Sequence, residues 1–156
     1  MAAIFAVVAG CGGPSDASMI DVCADLLGRT AVDPKGVQIN ESKVLSSELD
    51  RGEAEKELRE LNDGKVSSLE LSVLDGRYSD GTPSVVHYVS IDYTDKGRGL
   101  SRRGKAICKF YSDDRKTRLV AAELSGNRTI SGMKQILDFT IIHGAPKKMG
   151  AFGELK

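Results

Sequence analysis

The apolar residues of this chain recur at helical spacing in three segments. The first segment begins at Ser15 or Asp16, either of which can cap a helix, and ends at Gly28. The second covers residues 47–61 and is closed by the turn sequence at 62–64. The third lies near the end of the chain and has these apolar positions: Ile130, Met133, Ile136, Leu137 and Ile141.

Apolar and polar residues alternate in the middle of the chain, which is typical of half-buried strands. Four such segments are centred on residues 69–73, 85–92, 105–111 and 119–124. A hairpin turn at 112–115 joins the last two, and Val37 and Ile39 suggest one further short strand. We therefore expect an α+β domain, with an antiparallel sheet of about four strands and helices packed on one face.

The first ten residues, MAAIFAVVAG, are uncharged, apolar and too few to span a bilayer as a helix. They end at Val8-Ala9-Gly10-Cys11, which resembles the bacterial lipobox. The resemblance implies that 1–10 is a signal peptide and that Cys11 is lipidated, with palmitate among its acyl chains. It also implies a protein anchored in a membrane of the cell envelope, on the periplasmic or extracytoplasmic side. Residues 11–16 have the composition of a flexible tether.

Signal peptides begin with a positively charged region, which residues 1–10 lack. We expect either a translation start upstream of Met1 or another role for this segment. One alternative is a buried first strand. Another is a cytosolic nucleotide-binding protein that uses the glycine-rich loop from Gly10 to Ser15, although the strands expected between 66 and 124 lack the crossover helices of a dinucleotide fold.

Three cysteines occur in the chain, an odd number for an exported protein. Cys23 lies on the apolar stripe of the first helix, with Met19, Ile20, Leu26 and Leu27. Cys108 alternates with Ala106 and Phe110 on the apolar side of its strand. We therefore expect a Cys23–Cys108 disulfide, which leaves Cys11 for the lipid.

The cysteine-bearing helix and the later segment VHYVSIDYTDKGRGLSRRGKAICKF together resemble a group of small uncharacterised bacterial envelope proteins. In that group a strand, a glycine-containing loop, an arginine and a strand with a cysteine recur. The resemblance covers about a third of the chain and carries no known activity. The domain is expected over 17–144, with a poorly ordered tail at 145–156.

Charge is balanced over the 156 residues, with 22 basic and 22 acidic side chains, so nucleic acid is not expected as a partner. Between Lys96 and Arg118, however, nine cations face only two acids. Such a region can either keep an edge strand solvated or contact anionic lipid headgroups or an acidic protein. The candidate contact residues are Lys96, Arg98, Arg102, Arg103 and Lys105.

Catalytic and cofactor motifs are not found in the sequence, and we expect no cofactor. Residues 99–106 approach a P-loop, but Ala106 replaces the hydroxyl residue that holds magnesium, and a strand rather than a helix follows. His87 and His143 have no ligands at metal-binding spacing. The sequence therefore predicts a non-enzymatic envelope module that binds an envelope protein or a surface. A small hydrolase whose site is assembled from distant residues remains a further alternative.

Overall fold

The computed structural model describes residues 15–99, 101–114 and 116–156, and the side chain of the candidate contact residue Arg98 lies outside the described part. The expected signal peptide, the lipidation site at Cys11 and most of the Gly10–Ser15 loop lie outside the described residues. Four helices are present in the described part: α1 (Asp16–Thr30), α2 (Arg51–Leu61), α3 (Ser68–Ser79) and α4 (Gly132–His143). Five strands are present as well: β1 (Val37–Glu48), β2 (Val85–Asp95), β3 (Arg102–Ser112), β4 (Thr117–Leu124) and β5 (Arg128–Ser131).

All five strands form one antiparallel sheet in the order β1-β2-β3-β4-β5. The predicted α+β class and antiparallel sheet are confirmed. The sheet has five strands rather than about four: the short strand suggested by Val37 and Ile39 extends through twelve residues to Glu48, β5 was not expected, and the segment at 69–73 does not belong to the sheet. The second helix is correspondingly shorter than predicted and begins at Arg51, after the capping box formed by Asp50 and Glu53.

The helices cover both faces of the sheet. On the face that we call the α1 face, α1 and α4 pack over alternating residues of the strands, including Val89, Cys108 and Leu119. This part agrees with the expectation of helices on one face. On the opposite face, the α2 face, α2 and α3 enclose a smaller core around Tyr111 and Val120. The second layer was not expected, because the sequence does not show which strand residues α2 covers.

Residues 68–79 form a helix where the alternation at 69–73 predicted a strand. Ser67 caps the first turn, and the side chain of Glu70 accepts a hydrogen bond from the Ser67 backbone in return. Leu74 is buried against the α2 face, and the Tyr78 hydroxyl donates to the backbone oxygen of Leu49. The strand interpretation was wrong because capping and these tertiary contacts outweigh a short alternating pattern.

The predicted first helix is present, capped by Ser15, and it continues past Gly28 to Thr30. Its apolar stripe is buried as expected, and Cys23 forms a disulfide with Cys108 of β3, their Cα atoms 5.9 Å apart. The predicted pairing is thus confirmed. Both cysteines are fully buried, so the disulfide joins the helix layer to the centre of the sheet.

Residues 145–156 were expected to be poorly ordered, yet they pack against the body of the domain. Met149 is fully buried in the main core, and the backbone nitrogen of Leu119 donates to the oxygen of Gly153. Glu154 forms an isolated β-bridge with Arg118. The expectation failed because the tail has no periodic pattern of its own and is ordered by contacts with β4.

None of the four described helices is long and apolar enough to cross a membrane.

Candidate interaction surface

The cationic candidates surround the hairpin between β2 and β3. Arg102, Arg103 and Lys105 lie at the start of β3, and Lys96 follows the end of β2. Because side chains alternate along a strand, Arg103 and Lys105 lie on the α2 face, whereas Cys108 lies on the α1 face. We call Lys96, Arg102 and Lys105 the hairpin cations.

Arg103 is engaged within the domain. Its guanidinium donates to both carboxylate oxygens of Asp92 on β2, at 2.6–3.1 Å, and Asn40 of β1 donates to the same carboxylate. These hydrogen bonds, the one from Arg103 first, lower the pKa of Asp92 from 3.8 to about 2. Arg103 therefore contributes less to the binding of an external anion than the sequence suggested.

Two further cations of the basic region are paired with acids distant in sequence. Lys109, on the α2 face, lies 3.0 Å from Glu57 and 2.5 Å from Glu60 of α2. Lys116 pairs with Glu154 of the tail at 2.9 Å. The excess of seven positive charges in residues 96–118 is therefore partly compensated in the fold, by acids that lie outside this segment.

Burial alone would lower the pKa of the Lys109 ammonium, but hydrogen bonds and charge from Glu60 and Glu57 raise it overall. This half-buried cluster fixes α2 to the sheet. The sequence pattern of α2 does not show that these acids lie against the sheet. One signal in the sequence was the position of Lys109 on the side of β3 opposite Cys108. If a helix covers that side, a lysine there requires acidic partners from the helix.

The hairpin cations are exposed, and none of them forms an ion pair with another described residue. Gly36, which follows α1, accepts a hydrogen bond from the Lys96 nitrogen, so the C-terminal end of α1 lies beside the hairpin. Asp16 instead contributes to the electrostatics of His87, near the other end of β2. From His87 to Asp95 the strand advances by eight residues, about 26 Å, so the hairpin cations lie far from the start of α1.

A groove of about 390 Å³ lies between α3 and the β3–β4 turn. Leu58, Leu69 and Val73 form its apolar part, and Leu69 is 72% exposed. Arg77 closes one end, where it donates to Ser84 and pairs with Asp114. The acids and bases that line this groove are equal in number, so it selects neither an anion nor a cation.

His87 connects hydroxyl groups of three other strands in a hydrogen-bond network on the α1 face. Its Nδ1 lies 2.7 Å from Ser46 Oγ, its Nε2 lies 2.8 Å from Ser112 Oγ, and Ser112 in turn reaches Thr117. Burial lowers the pKa of His87 from 6.5, against a small opposing effect of Asp16. Neither Ser46 nor His87 lines the groove between α3 and the β3–β4 turn.

Metal and nucleotide chemistry find no support in the described residues. No group of three or more potential metal ligands occurs there. The P-loop-like segment at 99–106 continues into strand β3, as the sequence predicted. It therefore lacks the following helix whose N-terminus binds phosphate in a P-loop. No family model, no curated protein and no solved structure matches the chain.

Proposed function

We propose that this chain is an exported, lipid-anchored binding module of the cell envelope, without enzymatic activity. The observation that carries the proposal is the buried Cys23–Cys108 disulfide. Disulfides of this kind persist in oxidising compartments outside the cytosol. With these two cysteines paired, the remaining one is the cysteine of the lipobox-like sequence, Cys11.

The tether would hold the start of α1 close to the membrane. Cys11 is four residues from Ser15, which is a reach of at most about 14 Å. A single acyl chain binds a membrane only weakly, so stable attachment requires the multiple acylation that a lipobox implies.

The hairpin cations are the proposed contact surface, and we propose an acidic patch of an envelope protein as their partner. They lie at the end of the sheet away from Ser15, and Lys105 lies on the face opposite α1. Both facts favour a partner above the membrane over the headgroups of the anchoring bilayer. Exposed cations at such a site increase the association rate with an acidic partner, in a salt-dependent manner.

Membrane fractionation of the Cys11→Ala variant tests the anchor. The unaltered chain should sediment with membranes and incorporate labelled palmitate, whereas Cys11→Ala should be released and unlabelled. Ser18→Ala is the matched control and should remain membrane-bound. An unaltered chain that is soluble and retains residues 1–10 would contradict the anchor, and specific binding of a labelled nucleotide by that chain would support the alternative reading.

Charge reversal tests the contact surface. The Cys11→Ala chain is titrated with a fluorescent polyglutamate peptide and, separately, with vesicles containing phosphatidylglycerol. Reversal of the hairpin cations to glutamate should weaken peptide binding at least tenfold, since each lost contact costs on the order of 0.5–1 kcal/mol. Reversal of three other exposed lysines, Lys65, Lys134 and Lys156, should have less effect. Equal effects of both triple variants, or binding to vesicles alone, would refute an acidic protein partner.

A further inference from the structure

The outer side of β1 is a long unpaired strand edge. β1 has twelve residues and pairs with β2 on one side only, and no other described strand adjoins it. The other edge strand, β5, has four residues and leads directly into α4. Long edges with free backbone donors and acceptors can accept a further strand, and charges or bulges on the edge oppose this unless the incoming strand complements them.

We propose that β1 pairs in antiparallel orientation with β1 of a second copy of this chain, which joins the two sheets into one of ten strands. The pairing has twofold symmetry, with the axis perpendicular to the sheet at Ser42. Such an axis keeps each sheet face on its own side, so residues that lie opposite each other must share a face.

The charges of β1 select this register. Glu41 and Lys43 share the α2 face, because their partners on β2 are Asp92 and Ser90. Within one chain Lys43 lies 2.9 Å from Glu41, and with Ser42 at the axis each of them also lies opposite its counterpart of unlike charge in the other copy, which gives an alternating group of four charges. An axis at Lys43 would bring two lysines together, and an axis at Val44 would place Lys43 opposite Leu45.

The α1 face is complementary in the same register. Asn40 is an extra residue of β1, since Ile39 pairs with Tyr93 and Glu41 with the adjacent Asp92. This bulge returns Ile39 to the α1 face and brings it opposite Val44 of the second copy. Ile39 is 44% exposed in the single chain, and the contact would cover it with an apolar partner.

This pairing is independent of the proposed anchor and compatible with it. Both α1 helices would lie on the same side of the ten-stranded sheet, so two tethers could enter one membrane. Lys105 of each copy would remain on the opposite side. The edge belongs to the described domain, so the pairing can be tested with the Cys11→Ala chain, which has no lipidation site. The result of that test does not depend on whether the anchor proposal is correct.

Sedimentation velocity of paired charge variants tests the register. The Cys11→Ala chain should dimerise at concentrations below 200 μM. The additional Lys43→Glu or Glu41→Lys substitution should weaken the dimer at least tenfold, since like charges then face each other. An equimolar mixture of the two variants should recover the dimer. Lys43 and Glu41 are 66% and 58% exposed, so these variants should fold, which circular dichroism can verify.

A monomeric Cys11→Ala chain at 200 μM, or a mixture that fails to recover, would overturn the proposal. A cysteine at the axis gives a second test. Under mild oxidation, Ser42→Cys should form a covalent dimer, whereas Ser46→Cys, an exposed residue on the same face but away from the axis, should not. Equal cross-linking of both variants would refute this register.

Discussion

Loss of the Cys23–Cys108 disulfide should remove a large part of the stability of this domain. The bond closes a loop of 85 residues. In the chain-entropy description, a loop of this length restricts the unfolded chain by about 4.5 kcal/mol at 25 °C. Domains of this size have a total stability of about 5–15 kcal/mol. The reduced protein should therefore remain folded only marginally.

Urea unfolding of the Cys11→Ala chain measures this effect, because that variant has no third thiol to exchange. The oxidised protein and the Cys23→Ala/Cys108→Ala variant are compared by circular dichroism. The variant should lose about 4–5 kcal/mol, and its Tm should fall by about 9–18 °C. Part of the loss will come from the small cavity left by two buried sulfur atoms.

The Cys23→Ala/Cys108→Ala variant needs a control for that cavity. Urea unfolding of the Cys11→Ala chain in the presence and absence of reductant measures the effect of the covalent bond without a change of side chains. A difference below about 1 kcal/mol between the two conditions would refute the entropic reasoning. Free thiols that titrate at positions 23 and 108 in the unreduced native protein would refute the bond itself.

Three other predictions concern single residues. Burial lowers the pKa of His87 in the folded state below its unfolded value of 6.5. The contribution of His87 to stability is therefore complete above pH 6.5 and is lost as the pH falls below it. His87→Asn should flatten the dependence of the unfolding free energy on pH, measured by urea unfolding between pH 7 and 5. A Cβ at Gly104 would lie 2.6 Å from the Tyr93 ring, so Gly104→Ala should destabilise the domain by about 1–3 kcal/mol. Gly28 of α1 has open space around it, so Gly28→Ala should stabilise the domain by about 0.5–1 kcal/mol. Thermal unfolding measures both effects. Lys109→Met should cost about 3 kcal/mol in urea, because two part-buried carboxylates of α2 lose their cation; an unchanged midpoint would contradict this.

Periodicity predicted the elements whose burial is one-sided and regular. The stripe of α1 and the alternation of β3 were sufficient to place Cys23 and Cys108 on facing surfaces. The same reasoning failed for α3, whose apolar residues do not form one stripe: Leu69 and Val73 are exposed while Leu74 is buried. Its helical state depends on the cap and on packing against the sheet, which a local pattern does not contain.

The candidate surface was only partly predictable for a related reason. Charge along the chain identified the cationic segment, but the partners of Arg103 and Lys109 come from β2 and α2. Ion pairing across a sheet depends on strand order and on which helix covers which face. The exposed edge of β1 was not predicted either, because an edge is defined by the absence of a neighbouring strand.

The position of the disulfide also determines how the domain would respond to a mechanical load. For a domain held through the chain that precedes Ser15, tension enters at the first turn of α1. Unravelling of that helix would stop at Cys23, after its first seven residues. Beyond that point the covalent bond transmits force directly to Cys108, in the middle strand of the sheet. Further extension would then require shearing of β3 from β2 and β4, whose backbone hydrogen bonds would share the load rather than break one after another.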